Sequence, residues 1–109
     1  EIAANDLLAQ RLAKDPVAID VRDVTTMADV IYVCHGDSGR AVDAIAEEIL
    51  KKLKESSQRA SHVEGQRDQQ WILIDLGDVM VHVFHHERRD YYNLEKLWHD
   101  APRVLLPAA

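Results

Sequence analysis

At 109 residues the chain is long enough for one modest core, and a hydrophobic share of 47% excludes a disordered polymer. A net charge of −6 excludes a protein that grips nucleic acid mainly through its phosphates, which needs a basic surface; a basic protein partner suits it better. Cys34 is the sole cysteine, which excludes an internal disulfide; no apolar run approaches the roughly 18 residues that span a bilayer, and no signal-peptide pattern is visible.

Taken in chain order, residues 2–14 predict a helix, with Ala4, Leu8 and Leu12 recurring at i+4 beside Leu7. Asp15-Pro16 should stop it, because the residue before proline disfavours the helical region. A short strand is expected over 17–21. A second follows over 29–35, where Val30, Ile31, Tyr32, Val33 and Cys34 form an unbroken apolar run suited to burial on both faces in mid-sheet. Residues 36–39 read as a turn. Val42, Ile45, Ala46, Ile49, Leu50 and Leu53 then fall on one helical stripe, with Asp37 or Ser38 as the cap and Lys51, Lys52 and Lys54 in the last turns. Residues 55–70 are polar and lack periodicity, so they read as a connection with a short strand at His62-Val63.

A hairpin comes next. Trp71 to Ile74 and Val79 to Phe84 are runs of large, mostly β-favouring residues, and Asp75-Leu76-Gly77-Asp78 supplies the turn, with Gly77 able to take positive φ. A final helical segment is expected over 87–100, interrupted at Asn93, which caps a second short helix over 94–98. Tyr91, Tyr92, Leu94 and Trp98 read as its core stripe. Pro102 and Pro107 make the tail irregular. The order α-β-β-α-β-β-α predicts a single α/β domain over 1–109, with a mixed sheet of about four to five strands flanked by helices. The passage from 29 to 75 should be a right-handed crossover if its strands are parallel.

Four constellations carry candidate chemistry. The turn from Cys34 to Arg40 stands between a strand and a helix, where backbone N–H groups and Arg40 suit an anion; the plainer reading is a capped tight turn. Asp75 with Asp78, and Asp20 with Asp23, are carboxylate pairs of the kind that hold Mg²⁺, but also ordinary turn formers. His82, His85 and His86 lack helical spacing and a completing ligand, so His82 is expected to be a partly buried, hydrogen-bonded histidine. Cys34 beside His35 is a core cysteine, since neighbours on a strand point to opposite faces. No metal or cofactor is expected.

Trp71 shares a strand face with Leu73 and Asp75, while Ile72 and Ile74 take the other. If helices cover the Ile72 face, Trp71 and Leu73 lie on the open one. A tryptophan with an aliphatic neighbour and an acidic rim has the composition of an interface hot spot; the plainer reading is a tryptophan capping the core.

One stretch also carries a family resemblance. A strand ends in Asp75, followed by Gly77-Asp78, Val81-His82-Val83-Phe84, Arg89, Tyr92, Leu94-Glu95, Leu97-Trp98 and Asp100-Ala101. Upstream stand Asp20-Val21, Ala28-Asp29, the Gly36-x-Ser38 turn with Arg40 and Val42, and Glu64-Gly65. In this order, over nearly the whole chain, they resemble the ribosomal silencing factors (the Iojap, YbeB or RsfS family). Cys34-His35-Gly36-Asp37 departs from the pattern, which has Ser- or Thr-type residues before the glycine.

The resemblance implies an α/β domain related to the nucleotidyltransferase fold, without a demonstrated transferase activity. It implies binding to large-subunit ribosomal protein number fourteen (L14) on the intersubunit face. Joining of the small subunit is then blocked, and translation falls during nutrient limitation. On that reading Trp71, Leu73 and Asp75 form the contact face, with Asp78 and Tyr92 as contributors. A cytoplasmic location and little direct nucleic-acid contact are expected, with a homodimer left open. The alternative is a metal-dependent nucleotidyltransferase built on the Gly36-Ser38 turn. That fold needs two carboxylates on the next strand, whereas a helix follows here, with only Asp43 near its start.

Overall fold

The computed structural model describes residues 13–26, 28–55, 60–99 and 101–104. The strands are β1 (Lys14–Asp20), β2 (Val30–Gly36), β3 (His62–Glu64), β4 (Trp71–Asp75), β5 (Val79–His85) and β6 (Arg103–Val104). The helices are α1 (Gly39–Glu55), α2 (His86–Tyr92) and α3 (Leu94–Leu97). The strands form one mixed sheet in the order β3-β4-β5-β2-β1-β6. Among the described strands only β2 and β5 pair in parallel; the other neighbours are antiparallel.

The α/β class and mixed sheet agree with the sequence reading. The sixth strand is the two-residue β6, drawn from a tail expected to be irregular. It pairs Val104 with Ala18 and Arg103 with Ile19, and Asp20 N–H donates to the Pro102 carbonyl at 2.8 Å. Pro102 therefore stands beside the strand, where its missing N–H costs no ladder bond. A second correction concerns Pro16, which lies inside β1. The register slips between Lys14 and Val17, and Asp15 takes a φ of 45°. Such a bulge accommodates a residue that cannot donate to the ladder. Residues 2–12 of the expected first helix lie outside the described residues, and Lys14 is already strand.

The crossover also needs correcting. β4 runs antiparallel to β5 and hence to β2, so the parallel partner of β2 is β5. That places β2 mid-sheet, as its apolar run requires: Ile31, Tyr32, Val33 and Cys34 are all buried.

α1 covers one face. Its stripe of Val42, Ile45, Ala46, Ile49 and Leu53 packs against Tyr32, Cys34, Ile72, Ile74, Val81 and Val83. Ser38 starts the helix, its Oγ accepting from Ala41 N–H at 3.1 Å. The other face gathers Ile19, Val21, Ile31, Val33, Met80 and Phe84, with Trp71, Leu73 and Trp98 packed half-buried at its margin.

Candidate functional site

The β4–β5 register places Trp71 opposite Phe84, Leu73 opposite His82, and Asp75 opposite Met80. Alternation puts these six side chains on the sheet face away from α1. The condition set by the sequence is met: Ile72 and Ile74 are fully buried, and Trp71 and Leu73 are half-buried.

Trp71 is held by rings on several sides. Its centroid lies 5.2 Å from Phe84, 5.8 Å from His82 and 4.5 Å from Tyr92. Its indole N–H donates to His82 Nδ1 at 3.0 Å. Across the turn, Asp75 Oδ1 accepts from Gly77 N–H at 2.8 Å, and Gly77 takes the positive φ expected of it, 92°. Gly65, at φ 89°, lies so close to the Trp71 carbonyl that any Cβ would overlap its oxygen.

Tyr92 reaches the indole because α2 is pinned at both ends. His85 Nδ1 accepts from Glu87 N–H at 3.3 Å at the start. Asn93, left-handed at φ 47°, donates its N–H to the Arg89 carbonyl at the end, and its Oδ1 accepts from Lys96 N–H at 3.2 Å. One residue thus closes α2 and opens α3. Arg89 anchors the middle and is only 8% exposed. Its guanidinium clamps both Glu95 oxygens at 2.9 and 3.1 Å, donates to the Lys14 carbonyl at 3.3 Å, and stands 2.8 Å from His35 Nδ1.

The core stripe expected of the last helix is not what forms. Tyr91 is 75% exposed and Tyr92 42%. The helix breaks at Asn93 after two turns, so its aromatic positions never form one buried line. Trp98 does pack against the core margin, and the Leu94 side chain lies outside the described residues.

The predicted contact residues divide between two ends of the hairpin. Trp71, Leu73 and Tyr92 stand at the α2 end, where a groove of about 470 Å³ is lined by Asp68, Gln70, Trp71, Arg88 and Tyr92. Asp75 and Asp78 stand at the turn end. Asp78 is exposed, and its carbonyl accepts from Asp29 N–H at 2.7 Å. Between them on β3, Glu64 pairs with Leu73 in register and meets His62 at 2.8 Å, extending the acidic rim.

The other constellations have local roles. Asp20 is bound to Arg22 by side-chain and backbone hydrogen bonds, which hold its carboxyl below the usual range. Cys34 is fully buried, and burial pushes its thiol up to about 12, so it carries no thiolate at neutral pH. A Cβ on Gly39 would stand 2.8 Å from Gln69 Oε1, so the Gln69 amide occupies the space beside that turn. Among the described residues no group of three or more His, Cys, Asp or Glu is placed to hold a metal ion. His85 and His86 stack on one another at 4.6 Å.

His82 is the buried hydrogen-bonded histidine that the sequence predicts; its partner is Trp71. It is 7% exposed, and burial holds it down at about 4 against an ordinary 6.5. His35 is also lowered, by burial first and then by Arg89. A depressed histidine gives full stability above its unfolded pKa and loses it as pH falls towards the folded one. Stability should therefore be level above about pH 6.5 and fall by on the order of 1.4 kcal/mol per pH unit towards pH 4 from His82 alone. Urea unfolding at pH 7.5 and pH 5 measures this. His82→Asn should flatten the slope, and an unchanged slope would assign it to other groups.

The fold and site define an α/β domain with one sheet face under a helix and the other ending in a half-exposed aromatic platform. The family profile described as "Ribosomal silencing factor during starvation" matches residues 1–109, and the chain belongs to that family. It is 48% identical over 94 residues to the ribosomal silencing factor RsfS of Halalkalibacterium halodurans, covering 86% of this chain and 80% of that one. It is likewise 48% identical over 90 residues to the Bacillus subtilis RsfS, covering 83% and 76%. A crystal structure from Bacillus halodurans superposes with a TM-score of 0.80 at 42% identity, covering 96% of this chain and 94% of that one.

Proposed function

We propose that this chain docks on the large ribosomal subunit through ribosomal protein fourteen of its intersubunit face and sterically blocks joining of the small subunit. Translation falls as a result when nutrients are limiting. The whole of 1–109 acts as one silencing domain in the cytoplasm, and it acts by occupancy rather than by catalysis. The observation that carries the reading is Trp71: a large aromatic left only partly buried on a sheet face, with Leu73 and Tyr92 beside it and an acidic rim of Glu64, Asp68, Asp75 and Asp78. Buried-and-bordered aromatics of this kind dominate protein interfaces, and the net charge of −6 complements a basic protein.

The test is sedimentation of purified large subunits with the chain, followed by addition of small subunits. Co-sedimentation with a reduced yield of joined ribosomes is expected. Binding with undiminished joining would remove the steric block, and no binding would remove the docking itself. Incorporation of a labelled nucleotide in the presence of Mg²⁺ would instead favour the transferase alternative.

A further inference from the structure

Trp71 could offer a partner its ring surface or its N–H, and the structure has the N–H already engaged. Its N–H points inward to His82 Nδ1 at 3.0 Å. Phe84 lies directly opposite it in the ladder, and Tyr92 packs against it tilted by 43°, with its centroid 4.5 Å away. Ring contacts alone leave an indole able to shift about χ1 and χ2, whereas a directional hydrogen bond at one edge fixes its orientation. His82 reaches Trp71 diagonally, since its direct opposite is Leu73. Its burial keeps the imidazole neutral at cellular pH, so the accepting lone pair persists.

We propose that His82 is a positioning residue for docking: its Nδ1 takes up the Trp71 N–H and fixes the indole, so that a partner meets the carbon surface of the ring and not its N–H. This rests on the docking reading above. A partner contacting Trp71 must then present an apolar group to the ring rather than a hydrogen-bond acceptor to its N–H.

The experiment combines ¹⁵N spectra of the Trp71 indole N–H, identified by its absence in Trp71→Phe, with binding to purified large subunits. His82→Leu should shift that resonance, speed its exchange with solvent and weaken binding by about tenfold, the size of one lost hydrogen bond. His82→Asn places an oxygen near the position of Nδ1 and should restore both readouts to within about threefold of the wild type. In a Trp71→Phe background, His82→Leu should cost less than about twofold, because Phe has no N–H to hold. Circular dichroism checks the fold of each variant, and His82→Gln, with its acceptor displaced, replaces the leucine variant if that one misfolds.

An unmoved indole resonance, or the same binding loss in the Trp71→Phe background, would overturn the positioning role. A shifted resonance in a chain whose wild type binds no large subunits would overturn the docking reading while leaving the hydrogen bond in place.

Discussion

Trp71→Ala will weaken binding to the large subunit by about 2 kcal/mol or more, roughly thirtyfold. The residue is only partly buried, so its truncation removes contact area from a partner as well as from the fold. Phe84 beneath it is fully buried and Tyr92 beside it is 42% exposed, so the hole left by alanine opens to solvent rather than into the core. The fold should therefore survive, with a loss smaller than the 3–5 kcal/mol of a fully buried tryptophan. Titration of labelled chain against large subunits, beside a thermal melt of the same variant, separates the two effects. Affinity within threefold of the wild type would move the interface off this hairpin. Tyr91→Ala, at a position 75% exposed, is the matched control for a general loss of aromatic surface.

Arg89→Ala will lower stability by about 2–3 kcal/mol, because it removes a nearly buried guanidinium together with its charged hydrogen bonds to the half-buried Glu95 carboxylate. The Glu95 carboxylate loses both of its donors from Arg89 and the Lys14 carbonyl loses one. The midpoint of thermal unfolding should fall by about 10–20 °C, on a scale of roughly 4–8 °C per kcal/mol for a domain near this size. Arg89→Lys should recover little, since a single ammonium cannot reproduce the two-armed clamp. The side chain ties α2 to β1, β2 and α3, so a partly folded variant should also lose the placement of Tyr92 on Trp71. A melt within about 3 °C of the wild type would show the clamp to be unimportant.

The sequence announces most of this fold through periodicity. The stripe from Val42 to Leu53 has one solution, a helix over one sheet face, and it forms. The unbroken run at residues 30–34 likewise predicts a strand buried on both sides. The hairpin and its Gly77 turn follow from alternation and backbone chemistry.

What stayed hidden has identifiable causes. Arg89 and Glu95 are six residues apart, a spacing that never faces on a continuous helix, and only the left-handed Asn93 brings them together. The break at Asn93 also turns an expected core stripe into a platform. Pro16 and Pro102 mark irregular backbone in sequence, yet one occupies a bulge and the other leads into an edge strand. Those outcomes depend on neighbours far away in the chain. The Trp71 face itself was readable from strand alternation, whereas its hydrogen bond to His82 required the register.

The parallel pairing of β2 with β5 also governs the order in which the chain can assemble. Residue 30 pairs with residue 79, so β2 is synthesised long before its central neighbour exists. During that interval Ile31 and Val33 have β1 beside them but neither β5 nor the Trp71 hairpin. Local contacts form readily, while distant ones must wait for a costly loop closure. The nascent chain therefore carries an unpaired apolar strand edge at its future centre, and its exposure to aggregation ends only when the β4–β5 hairpin is made and slots in beside it.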